Sequence, residues 1–138
     1  MRVLIDTNVL LDLLCDRDGF AEDALKVWEL CEFREIDEYI SALSVPNIVY
    51  ILRKELTPEK TEELVEKLSA IFSVSDLKLS DLLSAAKIRT KDYEDAVQML
   101  TAKRIGADYI VTRNIDDFSV SKVPVVKPSE FLKNFLNE

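Results

Sequence analysis

Asp6 stands directly behind the apolar run Val3-Leu4-Ile5, and Asp92 and Asp95 sit at i,i+3 spacing where a long apolar pattern begins. Asp116 and Asp117 follow a second apolar run, Tyr109-Ile-Val-Thr112, by way of Arg113 and Asn114. The chain contains no histidine and only two cysteines, Cys15 and Cys31. Ser-His and Cys-His nucleophiles, histidine general bases and zinc sites built on His or Cys are therefore excluded. What remains for chemistry is carboxylates, amides, hydroxyls, Lys and Arg. Hard oxygen donors of this kind suit Mg²⁺ or Mn²⁺. Carboxylates held close together oppose each other's ionisation, and a divalent cation removes that conflict while supporting in-line attack on a phosphate ester.

The elements that must position these acids can be read from periodicity. Val3–Ile5 lacks the alternation of a half-wet strand and predicts a strand buried on both faces. Val9, Leu10, Leu13 and Leu14 recur at helical spacing, with Asp6 or Thr7 as the cap. A turn at Asp16–Gly19 leads to a helix from Phe20 to about Phe33, on which Trp28 is a core or interface anchor. Glu38–Ala42 predicts a strand. Ser44 is expected to cap the next helix, with Pro46 in its first turn. Thr57-Pro58 opens a helix to about Phe72, and Phe72–Asp76 is a weak strand. Ser80 is expected to cap a helix to Ile88, and Asp92–Ile105 is a helix stopped by Gly106. Tyr109–Thr112 and Val123–Val126 complete the strands, and Pro128 opens a terminal helix.

Strands alternating with helices imply an α/β fold. We expect a three-layer sandwich with a central, mostly parallel sheet of four to five strands, built as one domain over residues 1–138. In such a sheet the strand C-termini and the helix N-termini that follow share one edge, where ligands bind. Asp6, the Ser44/Asn47 pair, Asp92/Asp95 and the Arg113–Asp117 segment can all converge there. Taken alone, Asp92 is most simply an acid in a first helical turn that suits the macrodipole, Asp6 is equally well an N-cap, and Asp117 could cap a turn. Asp95, one step inside its helix among residues of buried type, reads as functional.

The net charge of −8 argues against a general electrostatic grip on nucleic acid, though acids gathered in one pocket fit it. No apolar run approaches the ~20 residues of a membrane span, and no secretory signal is visible. The cysteines read as reduced core thiols of a cytoplasmic protein.

Four stretches together resemble the PIN domain, the metal-dependent nuclease fold of VapC-type toxins and related RNA-processing enzymes. They are Val3-Leu-Ile-Asp-Thr-Asn-Val-Leu-Leu-Asp12, Ile40-Ser-Ala-Leu-Ser44, Asp92-Tyr-Glu-Asp-Ala96 and Tyr109-Ile-Val-Thr-Arg-Asn-Ile-Asp-Asp-Phe118. The resemblance implies a Mg²⁺- or Mn²⁺-dependent endoribonuclease, acting on RNA and paired with an antitoxin protein or with a second copy in a homodimer. Carried over, Asp6 and Asp95 are the first and the helix acid of the metal site. Asn47 stands where many members have Glu, and Asn114 where many have Asp. Asp117, or less readily Asp116, then supplies the last carboxylate beside Asn114. Asn8 and Thr112 are expected to orient water or ligands. Arg113, with Arg89 and Lys91 near the same edge, offers cations to RNA, though each reads more simply as a solvated surface charge.

Two other readings compete. A haloacid-dehalogenase-like phosphatase also starts with a strand running into an acid, but needs a second Asp where this chain has Asn8; a receiver domain cannot be assembled. The non-enzymatic reading is a PIN-like binding module, its activity lost through Asn47 and Asn114. It would act through a surface carrying Trp28, Tyr39, Tyr50 and Phe72.

Overall fold

The structure, a computed structural model, describes residues 1–33 and 36–136. Five strands form one parallel sheet: β1 (Arg2–Ile5), β2 (Asp37–Ser41), β3 (Ser73–Ser75), β4 (Tyr109–Val111) and β5 (Val125–Val126), in spatial order β3-β2-β1-β4-β5. Seven helices flank them: α1 (Thr7–Leu14), α2 (Ala21–Glu32), α3 (Ser44–Ile51), α4 (Pro58–Ile71), α5 (Leu79–Ile88), α6 (Tyr93–Arg104) and α7 (Pro128–Leu136). A 3-10 turn spans Ile115–Phe118. This is the expected three-layer α/β sandwich, with five strands, all parallel.

The sheet is apolar on both faces, as an all-parallel sheet requires. Val3, Ile5, Ile40 and Val111 pack into one core with Val9, Val27 and Ile48 from the helices. Leu4 and Ile110 point the other way, against Met99 and Ala102 of α6 and against Phe118. β1 lies between β2 and β4, with two strands on either side of it. Whatever leaves its C-terminal end, Asp6 first, is held at the middle of the sheet edge.

Several helix starts differ from expectation in an instructive way. Thr57 caps α4 by accepting from the Lys60 backbone N–H at 3.2 Å, with Pro58 in the first turn. Ser44 is not a cap: α3 begins on it, behind Leu43, and its hydroxyl is engaged elsewhere. Ser80 likewise lies inside α5; there the Asp81 carboxylate accepts from the Lys78 backbone N–H at 3.2 Å. Asp81 also takes a bidentate hydrogen-bonded ion pair from Arg104, which ties the end of α6 to the start of α5. Gly106, at φ +70°, ends α6 as expected, because that backbone region disfavours residues with a Cβ.

Trp28 and Phe72 meet edge to face at 4.9 Å inside the core, so they are not part of an exposed binding surface. Tyr39 is half-buried; of the four residues proposed for that surface only Tyr50 is exposed. Cys31 is buried and donates to the Ile71 carbonyl, but Cys15 is exposed, since α1 ends at Leu14 and turns it outward. No helix among the described residues is long and apolar enough to cross a membrane.

Candidate active site

The register of β1 against β4 pairs Ile5 with Val111. Continuing one residue brings Asp6 beside Thr112, and the Asp6 backbone N–H donates to the Val111 carbonyl at 2.9 Å. Thr112 Oγ1 donates to Asp6 Oδ2 at 2.8 Å. Asp6 occupies the N-cap position of α1, yet its side chain makes no capping bond. The carboxylate is thus left for other work. It is buried, with 4% of its surface exposed. Burial pushes its carboxyl up to about 6; the bonds from Thr112 and from the Thr7 backbone hold it down, and the Asp92 charge adds to the rise.

α6 brings Asp95 to the same place. Its helix start is fixed by Asp92, whose Oδ1 accepts the backbone N–H groups of Glu94 and Asp95 at 2.9 and 3.3 Å. Asp92 therefore acts as the cap, while its charge remains at the cleft mouth. Asp95 is half-buried. Burial first, then the charges of Asp92, Asp6, Asp117 and Glu94, raise its carboxyl to about 7. These charges connect Asp95 to every acid expected at the site except Asp116.

The cleft measures about 230 Å³ and is lined by Asp6, Thr7, Asn8, Asn47, Asp92, Glu94, Asp95 and Gln98, with Leu11, Tyr50 and Ile51 on its apolar side. Asn47 Nδ2 donates to Glu94 Oε2 at 3.2 Å, which links α3 to α6 across the mouth. Asn114, Asp116 and Asp117 line an adjoining cleft with Arg113, Lys127 and Glu130. The Asn114 backbone N–H donates to Thr112 Oγ1 at 3.1 Å. Thr112 thus holds Asp6 with its proton and the Asn114 loop with a lone pair.

Arg113, expected to face RNA, is held inward. Its Nε and Nη2 donate to the two oxygens of Asp12 at 2.7 and 3.0 Å, and its guanidinium lies over the Phe20 ring at 4.3 Å. Asp12, which is 1% exposed, also takes Arg17 at 3.1 Å. Moving Arg113 to a phosphate would leave a buried carboxylate short of its main partner, a costly exchange. Arg89 and Lys91 are exposed beside the α5–α6 turn.

Sequence reasoning missed the polar floor of the cleft. Gln98, 3% exposed, donates from Nε2 to Ser44 Oγ at 3.1 Å and Thr7 Oγ1 at 3.3 Å, and those two hydroxyls are themselves 2.7 Å apart. Its Oε1 has no partner. The available signal was its i,i+3 spacing from Asp95, which puts both on one helix face.

The metal-ligating atoms that line this cleft are carboxylate, amide and hydroxyl oxygens, and among the described residues no Lys or Arg lines it. Burial first, and then the neighbouring negative charges, lift Asp95, and a divalent cation would neutralise those charges. Among the described residues no three carboxylates form a ready-made metal cage. Mg²⁺ does not require one, because it commonly keeps several waters and binds one or two carboxylates. The donor set fits such an ion, with Asp6 and Asp95 as the residues to hold it.

A PIN domain family model matches residues 2–116. The chain belongs to the PIN domain family. It matches no curated protein sequence. Among solved structures, this PIN domain is similar to VapBC-1 from nontypeable Haemophilus influenzae, with a TM-score of 0.71 and 17% identity over 94% of this chain and 99% of that one. FitAcB from Neisseria gonorrhoeae gives 0.69 and 23% over 92% and 98%. VapC20 from Mycobacterium tuberculosis, a sarcin–ricin-loop-cleaving toxin, gives 0.62 and 14% over 78% and 86%. At these identities the likeness establishes the shared fold.

Proposed function

We propose that this PIN domain is a Mg²⁺- or Mn²⁺-dependent endoribonuclease of the toxin type, working in the cytoplasm with an antitoxin protein and as a homodimer. The observation that carries the reading is the cleft lined by both Asp6 and Asp95, from two elements far apart in sequence, where burial raises each carboxyl and the Asp6 charge adds to the rise at Asp95. Solved structures of the same fold include a sarcin–ricin-loop-cleaving toxin and a toxin–antitoxin complex from Klebsiella pneumoniae.

A bound divalent ion would supply Lewis acidity at the phosphodiester. The chain's own residues have separate duties. Asp6 and Asp95 hold the ion, and Thr112 fixes the rotamer of Asp6. Asn8 and Asn47, at the wall of the cleft, offer amides to orient water. Asp117, with Asn114 beside it, faces the adjoining cleft and completes the acidic field around Asp95. Asn47 and Asn114 carry no charge, so we expect one tightly held ion and weaker affinity than a four-acid site would give.

The test is cleavage of mixed single-stranded RNAs in Mg²⁺ or Mn²⁺. Cleavage that EDTA stops and that Asp6→Asn or Asp95→Asn abolishes is expected. Hydrolysis of a generic phosphomonoester without RNA cleavage would refute the reading. That no three carboxylates cluster among the described residues gives the binding-module reading its support. Mn²⁺ titration separates the two: a rise in Tm lost in Asp95→Asn supports the nuclease, and no rise supports the module.

A further inference from the structure

An RNA strand that enters this cleft meets a difficulty. The walls carry Asp6, Asp92, Glu94 and Asp95, and the whole chain is at −8, so the phosphate backbone is repelled where it must approach. Substrate affinity has to come largely from groups other than phosphate. The rim of the cleft offers one such place. Tyr50, at the end of α3, lines the cleft and is 64% exposed, and Ile51 beside it is 50% exposed. The Arg53 guanidinium carbon lies 4.0 Å from the centroid of the Tyr50 ring, and Arg53 Nη1 donates to the Tyr50 carbonyl at 2.8 Å. The cation is thus tethered in place over the ring. The Tyr50 side chain stays largely in water beside the cleft, and the Arg53 guanidinium held over its ring adds a second planar group.

Resting on the nuclease reading above, we propose that Tyr50 and Arg53 form a stacking platform for one unpaired base next to the scissile phosphodiester. Aromatic rings and guanidinium planes both stack nucleobases, and stacking needs no particular base identity. The platform selects for unpaired bases, because a duplex keeps its base faces covered. The cation also offsets part of the acidic field on the side where the strand enters. Asn47 lies one helical turn before Tyr50 on α3, so the platform and the cleft amide are held by one rigid element.

The experiment is fluorescence anisotropy of a labelled single-stranded oligoadenylate, in Ca²⁺, for wild type, Tyr50→Ala, Tyr50→Phe and Arg53→Gln. Melting curves establish that each variant is folded. Tyr50→Ala should weaken binding about tenfold, the usual scale for loss of one stacked base, while Tyr50→Phe stays near wild type. With 2-aminopurine in the strand, quenching on binding should be present for wild type and Tyr50→Phe and absent for Tyr50→Ala. Unchanged affinity in Tyr50→Ala, or equal loss in Tyr50→Phe, overturns the platform alone if wild type still cleaves RNA. A wild type that neither binds nor cleaves single-stranded RNA overturns the platform together with the nuclease reading. A change of oligomeric state in Tyr50→Ala with RNA affinity intact assigns the face to protein contact and also overturns it.

Discussion

Thr112 Oγ1 donates to Asp6 Oδ2 at 2.8 Å, across two strands that end side by side at the middle of the sheet edge. The bond does two things for a carboxylate that is almost wholly buried. It fixes the oxygen's direction, and it favours the ionised form that a metal ion requires. Without it, burial acts on Asp6 with less opposition, and its carboxyl climbs above the present value of about 6.

Thr112→Val keeps the shape of the side chain and removes only the donor. We expect weaker Mn²⁺ binding at neutral pH, recovering as pH rises, because the protonated fraction of Asp6 is then larger and empties only at higher pH. Thr112→Ser should bind as wild type does. Isothermal titration of Mn²⁺ across pH checks this, and a pH profile unmoved in Thr112→Val would sink the idea.

Gln98 joins three helices, since its amide reaches Thr7 on α1 and Ser44 on α3 from its own place on α6. Gln98→Leu should cost about 1–3 kcal/mol, because it leaves two hydroxyls with less than their full set of partners. Gln98→Leu and Ser44→Ala should be strongly non-additive in chemical denaturation, as residues of one network are. Simple addition of the two effects would show that the network is not coupled.

Glu38 is a buried acid that the site does not use and that, unlike Asp12 and Asp81, has no arginine paired with it among the described residues. It lies on β2, pairs in register with Val3, is 1% exposed, and neither of its oxygens has a partner. Burial raises its carboxyl from 4.5 to about 9. Between those values the folded protein holds a proton that the unfolded chain releases, so stability is full below pH 4.5 and is lost as pH rises towards 9. Asp6 and Asp95, raised to about 6 and about 7, act in the same sense at lower pH. The window from pH 7 to 9 therefore belongs mainly to Glu38. Glu38→Gln, which has no such proton to lose, should flatten the fall of Tm there and exceed wild type at its alkaline end. An unchanged slope would mean that Glu38 does not titrate there.

The order of elements was legible in the sequence, because buried parallel strands read as short apolar runs and helices as 3.6-residue periods. The five strands lie within a residue or two of where periodicity put them, and Thr57-Pro58 opens a helix as its local chemistry requires. Asp6 and Asp95 could be singled out because one ends the central strand and the other sits inside a buried helix. Local reading failed where a side chain's partner is distant in sequence. Ser44 and Ser80 have the right residue type for caps. Ser44 is instead taken by Gln98 and Thr7, whereas the miss at Ser80 is local, since the neighbouring Asp81 accepts the Lys78 backbone N–H at the head of α5. Arg113 has the look of a phosphate contact, yet Asp12, distant in sequence, takes its Nε and Nη2 in a bidentate pair.

The sequence by itself determined the chemistry available to this protein: with no histidine and with acids behind apolar strands, only oxygen ligands and a hard cation fit. The tertiary structure decided the company each acid keeps. It set Asp6 beside Thr112 through strand register, and it placed Asp117 in the adjoining cleft with only its charge reaching Asp95. It also put Tyr50 at the rim while burying Trp28 and Phe72. Residue type and local period fix what a group can do. Its partners depend on contacts between segments distant in the chain, which only packing of the helices against the sheet establishes.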